Sequence, residues 1–130
     1  MPSLLKAPLL FHALLETIAA LSFLFNPQVQ HPSAATDLEI KLVLRSYGGL
    51  LLSTAILCAG FYLREGFDDS ARIVSGAMAV YHVFPIARAW TKLRMRNVRC
   101  ATFCGGPVVH LLVHLGALLG LTGAAIWGRS

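Results

Sequence analysis

Pro8-Leu-Leu-Phe-His-Ala-Leu-Leu-Glu-Thr-Ile-Ala-Ala-Leu-Ser-Phe-Leu-Phe25 is an apolar run broken by two ionisable side chains. His12 and Glu16 stand four residues apart, so on a helix they stack on one face. Around them Leu9, Leu10, Leu14, Leu15 and the stretch from Ile18 to Phe25 are apolar enough to sit in lipid. A carboxyl at such depth is expensive unless it is paired, protonated or wetted, which marks it as a functional group. The stretch therefore reads as a membrane span with chemistry inside it.

The rest of the chain supports that reading. Of 130 residues, 56% are hydrophobic and only 13% charged, whereas water-facing domains carry roughly 25% charged residues. The expected fold is all-α, a single four-helix membrane domain over residues 1–130. Its spans fall at about 8–25, 38–63, 71–90 and 107–127, each long enough for a ~30 Å hydrocarbon core. Pro8 suits the first turn of the first span, and Asn26-Pro27 stops it. That run is too long for a cleaved leader and lacks a small-residue cleavage site, so it is expected to be retained. Gln28 to Thr36 shows no periodicity and reads as a loop. Asp37 can cap the second span, and Asp69 or Ser70 the third. Pro85 should kink the third span beside His82, releasing the Tyr81 carbonyl. Gly105-Gly106-Pro107 opens the fourth.

The formal net charge of +5 is concentrated in the stretch from Arg88 through Lys92, Arg94 and Arg96 to Arg99. Between two apolar segments such a run is a topology signal: segment 88–106 is expected to be cytoplasmic and both termini lumenal, in an internal membrane such as the endoplasmic reticulum. No recognition motif accompanies the charge, so nucleic acid is not an expected partner. Three cysteines form no even disulfide framework. Cys58 reads as a small packed side chain, and Cys100 and Cys104 as reduced thiols.

Rare polar residues recur at one depth. Counted at ~1.5 Å per residue from the basic side, Glu16 lies roughly 13 Å deep, His82 roughly 12 Å and His114 roughly 11 Å. Arg45 starts at roughly 9 Å with a side chain that reaches further. Glu16 is the expected principal acid or base, His82 and His114 proton carriers, and Arg45 the partner that sets the charge of Glu16 or holds an oxyanion. His12 and His110 would line the track above and below. Gly49 and Ser53, which share a face with Arg45, and Tyr81 complete the expected substrate contacts. Gly116 and Gly120, one turn apart, form a small-residue stripe suited to helix packing or a homo-oligomer contact.

Three stretches, Leu14-Leu-Glu-Thr-Ile-Ala-Ala20, Leu44-Arg-Ser-Tyr-Gly-Gly49 and Val80-Tyr-His82, resemble the small DoxX-like membrane proteins. The resemblance covers most of the chain and implies a four-helix membrane fold, with no single activity attached. The chain is also similar in size and charge to the membrane-associated glutathione-metabolism proteins. Their second-helix run of Glu, Arg, Asn and Glu is missing here, with only Glu39 and Arg45 nearby.

The function expected is a small integral membrane enzyme performing acid–base chemistry (isomerisation, cyclisation or hydration) on a lipophilic, terpenoid- or sterol-like molecule that enters from the bilayer. No cofactor is required by that chemistry. One alternative is a non-catalytic membrane assembly subunit. Another is a metal or haem redox protein ligated by the histidines, His110-xxx-His114 first among them.

Overall fold

The computed structural model describes residues 2–95 and 106–128. Among these residues there are helices and turns and no strand, so the chain is all-α. The elements are α1 (Pro2–Phe25), the single turn α2 (Pro27–Gln30), a 3-10 turn (Pro32–Ala35), α3 (Leu38–Leu63), α4 (Asp69–Arg94) and α5 (Gly106–Trp127). Three helices are long and apolar enough to cross a membrane: α1 over Leu4–Phe25, α3, and α5. The expected third span, α4, is not among them. Arg72, His82 and Arg88 lie within its apolar stretch and lower its hydropathy.

The residues group into two compact units, one formed by Leu10–Leu63 and one by residues 1–9 with 64–130. In the first, the expected structureless return is instead two helical turns, because Pro27 and Pro32 each take a first helical position where the missing N–H is no loss. The N–H of His31 donates to the Pro27 carbonyl, and Gln30 Nε2 donates to Ser22 Oγ at 2.9 Å, fastening the turn to α1. Asp37 Oδ1 accepts the Ile40 N–H at 3.1 Å and starts α3 where the sequence places it. Helices α1 and α3 come closest at Gly48, where a Cβ would sit 2.8 Å from Phe23 Cβ and 3.1 Å from the Ala20 carbonyl oxygen. The rings of Phe23 and Tyr47 meet edge to face there, 5.0 Å between centroids.

In the second unit Asp68 caps α4, rather than Asp69 or Ser70, its Oδ1 accepting the Ala71 N–H at 2.9 Å. Asp69 is already in the first turn and pairs with Arg72 at 2.9 Å. Arg64 pairs with Asp68 at 2.7 Å, and Lys6 Nζ donates to the Arg64 carbonyl. The helix continues through Pro85 to Arg94. Arg88, Lys92 and Arg94 thus ride its last two turns instead of a loop, where positive charge suits the negative end of the helix dipole. Residues 96–105, with Arg96, Arg99, Cys100 and Cys104, lie outside the described residues.

Helices α4 and α5 pack antiparallel. Arg72 Nε donates to the Ala125 carbonyl at one end (3.1 Å), His82 meets His114 midway, and Arg88 and Lys92 lie near His110 at the other end. Helix α1 starts at Pro2, so Pro8 lies inside it rather than in its first turn. The Pro8 ring faces α5 at Gly120, 3.4 Å from where a Cβ would be. Gly116 has nothing within 4 Å of that position.

Polarity is inverted relative to a water-soluble protein. Glu16, His12, His82, Ser75 and His114 are buried, together with alanines on every long helix. Phe11, Leu14, Ile18, Leu50, Ile56, Val80, Phe84, Leu112 and Leu119 are exposed.

Candidate functional site

The buried stripe of α1 is written at helical spacing: Lys6, Leu9, His12, Glu16, Ala20 and Phe23 fall on one side, while Leu14, Ile18 and Leu21 point away. His12 and Glu16 are fully enclosed. Each lies one helical turn from the other on the same face, as their spacing requires. Within the same unit the Glu16 carboxyl is close enough to the buried Cys58 thiol on α3 for the two to interact electrostatically. Cys58 belongs to the buried stripe Gly48, Leu51, Ala55, Cys58 of α3.

Arg45 is placed elsewhere. Its Nε–H donates to the Leu24 carbonyl oxygen at 3.1 Å, satisfying one of the last carbonyls of α1. Leu24 is two turns beyond Glu16, roughly 12 Å along the helix axis. The guanidinium thus ties α3 to the end of α1. Gly49 and Ser53, on the same face as Arg45, are exposed, and the Ser53 hydroxyl donates back to the Leu50 carbonyl at 2.8 Å. The close-approach glycine is Gly48, one residue from the one singled out in the sequence. Its place among Leu51, Ala55 and Cys58 at spacings of three and four was the available signal.

The geometry is sharpest between α4 and α5. His82 Nδ1 lies 2.8 Å from His114 Nδ1, both side chains enclosed, the ring centroids 5.0 Å apart and the planes inclined by 43°. On one side the His110 ring lies 5.3 Å from that of His114, one turn nearer the start of α5. On the other, Tyr81 meets the His82 ring edge to face at 5.1 Å. Ser75, two turns before His82 on the same buried face, turns its hydroxyl onto the Ala71 carbonyl at 2.8 Å.

A direct Nδ1···Nδ1 hydrogen bond constrains the protons of both rings. One Nδ1 must carry the hydrogen and the other must accept it. In the neutral pair, the donor ring then has a bare Nε2, and the acceptor ring has Nε2–H. One enclosed unit therefore presents a base and an acid at once. When the bare Nε2 takes up a proton, the Nδ1 hydrogen can cross the 2.8 Å contact and the other ring can release its Nε2–H, after which the two roles are exchanged.

Sequence reasoning missed Lys6 and Arg72. Lys6 belongs to the same 3.6-residue stripe as His12 and Glu16, which was the signal that could have found it. Arg72 reaches a carbonyl of another helix, and no pattern along the chain announces such a partner. Comparison with known proteins yields no match: no family model, no curated protein and no solved structure aligns with this chain.

Proposed function

We propose that this chain is a multi-pass integral membrane protein, of an internal membrane such as the endoplasmic reticulum, that carries out acid–base chemistry on a lipophilic small molecule. The membrane assignment draws on the inverted polarity and on three helices with the length and apolarity of spans. Large apolar side chains facing outward over small and polar residues suit a lipid surround, where close helix packing and interior hydrogen bonds hold helices together.

The observation that carries the chemistry is the enclosed His82–His114 hydrogen bond. In an isomerisation, the bare Nε2 of one ring takes a proton from the substrate, the Nδ1 proton crosses to the second ring, and that ring's Nε2–H is delivered to another carbon. No net proton is gained or lost, and both rings are neutral before and after the cycle. Imidazole is the side chain most used for general acid–base work, since each ring carries one nitrogen that can give a proton and one that can take it. Glu16, with His12 one turn away, supplies a second enclosed acid or base on α1. Tyr81 positions the His82 ring.

The open face at Gly116 supports a homo-oligomer contact or an assembly role, the reading against which catalysis must be tested. Cells producing the wild type and His82→Gln at equal membrane levels should differ in their apolar metabolites. An isomerised product keeps its mass and shifts its retention, and in deuterated water it gains deuterium. Identical metabolite profiles with equal protein levels would refute the catalytic reading.

A further inference from the structure

Three histidines descend one side of the α4–α5 pair in order of enclosure. His110 is exposed, His114 is nearly closed off, and His82 is fully buried. Their rings are neighbours in sequence of depth, 5.3 Å from His110 to His114 and 5.0 Å from His114 to His82. His110 lies about one turn into α5, roughly 6 Å nearer its start than His114. Arg88 and Lys92 of α4 act on it electrostatically. His110 itself is one turn from the start of the α5 span, toward the end of that helix that would meet the water-facing zone of a bilayer. His110 is therefore held at that boundary, while the pair behind it is dry.

An enclosed acid has to be loaded with its proton. We propose that His110 is the proton port of the His82–His114 pair, connecting it to water on the side of the α4–α5 connection. This inference rests on the acid–base reading of the pair and extends it to proton supply. The charged His110 ring gives its proton to Nε2 of His114, directly or through one water. The Nδ1 hydrogen of His114 then crosses the 2.8 Å bond to Nδ1 of His82. His82, whose Nε2 already carries hydrogen when its Nδ1 accepts, becomes an imidazolium and His114 returns to neutral. One positive charge has moved inward, with each ring giving and receiving one proton in turn. The loaded His82 protonates a substrate, and the proton lost later in a cyclisation or hydration leaves by the reverse route.

Facing this track are Tyr81, Arg88 and Lys92 on α4 and His110 and His114 on α5. Lys6, from the first turns of α1, is engaged at the Arg64 end of the unit.

The test is made on the full chain in lipid nanodiscs with 15N-labelled histidine. The rate at which the His82 and His114 nitrogens exchange between neutral and charged forms is followed by NMR near neutral pH. His110→Gln should slow that exchange about a hundredfold, the low end of what a positioned proton-transfer group contributes. Added free imidazole should restore it, and the Nδ1···Nδ1 hydrogen-bond signal should persist. His114→Gln should isolate His82 while leaving His110 titrating. Unchanged exchange in His110→Gln overturns the port while leaving the acid–base pair intact. Loss of the Nδ1···Nδ1 signal in that variant also overturns it, since His110 would then act structurally. A wild-type pair that takes up no proton at any accessible pH removes the acid–base reading as well.

Discussion

A single hydrogen carries the argument at the His82–His114 contact, and substitutions there have asymmetric consequences. His82→Leu leaves His114 Nδ1 enclosed with its partner removed, a change that costs about 1–3 kcal/mol. The double variant His82→Leu/His114→Leu removes both members of this hydrogen bond and should unfold later than the single one. Chemical denaturation in mild detergent reads this directly, and a double variant less stable than the single would contradict the pairing. At α3 two adjacent glycines should behave oppositely. Gly48→Ala drives a methyl into Phe23 Cβ and the Ala20 carbonyl and should lower the melting temperature. Gly49→Ala meets nothing within 4 Å and should raise it, gaining up to about 1 kcal/mol of helix propensity. The adjacent pair was visible in the sequence, but which glycine faces α1 depends on rotation about the α3 axis, which Tyr47 and Phe23 help to set.

Helices were legible where one-dimensional signals act, and their ends less so. The bounds of α3 follow from Asp37 and the apolar run after it. The start of α4 is displaced by one residue, because three candidate caps, Asp68, Asp69 and Ser70, adjoin one another and only the backbone geometry chooses. Asp68 holds its carboxyl below the ordinary value near 3.8, chiefly because it accepts the Ala71 N–H and also because Arg64 stands beside it. A carboxyl depressed on folding stabilises above its unfolded value, and the contribution disappears as the pH falls through the folded one. The start of α4 should thus fray below pH 3.8 and not above it. Amide exchange at Ala71 and Arg72 should rise in that window. In Asp68→Ala the same amides should exchange quickly at every pH, and protection that survives this variant would place the cap elsewhere. The prolines of the return between α1 and α3 misled for a related reason. Lack of periodicity suggests coil, yet a proline at a first helical position needs only three further residues to close a turn.

For the chain as a whole, the sequence reading gave the class correctly as helical and expected four spans, of which three helices have the length and apolarity and α4 does not. A stretch with Arg72 at one end, Arg88 at the other and His82 in the middle has the length of a span but too little apolarity. If it is inserted, the ends of α4 lie on opposite sides of the bilayer. Reporter tags placed after Glu65 and within residues 96–105 should then report opposite compartments, with 96–105 on the cytoplasmic side. Tags reporting the same side would lay α4 along the membrane surface instead. Alkaline carbonate should fail to release the protein from membranes, given the breadth of apolar side chains turned outward.

Lys6 donates to the carbonyl of Arg64, and residues 1–9 group with 64–130 although α1 runs on without a break to Phe25. During synthesis the Lys6 contact must therefore wait until Arg64 has left the ribosome. The Leu10–Leu63 portion can consolidate meanwhile. Lesions near the very beginning, such as Lys6→Ala, should accordingly announce themselves late, as faults in closing α4 and α5. Proteolytic nicks would then fall after Arg64, far from the altered codon.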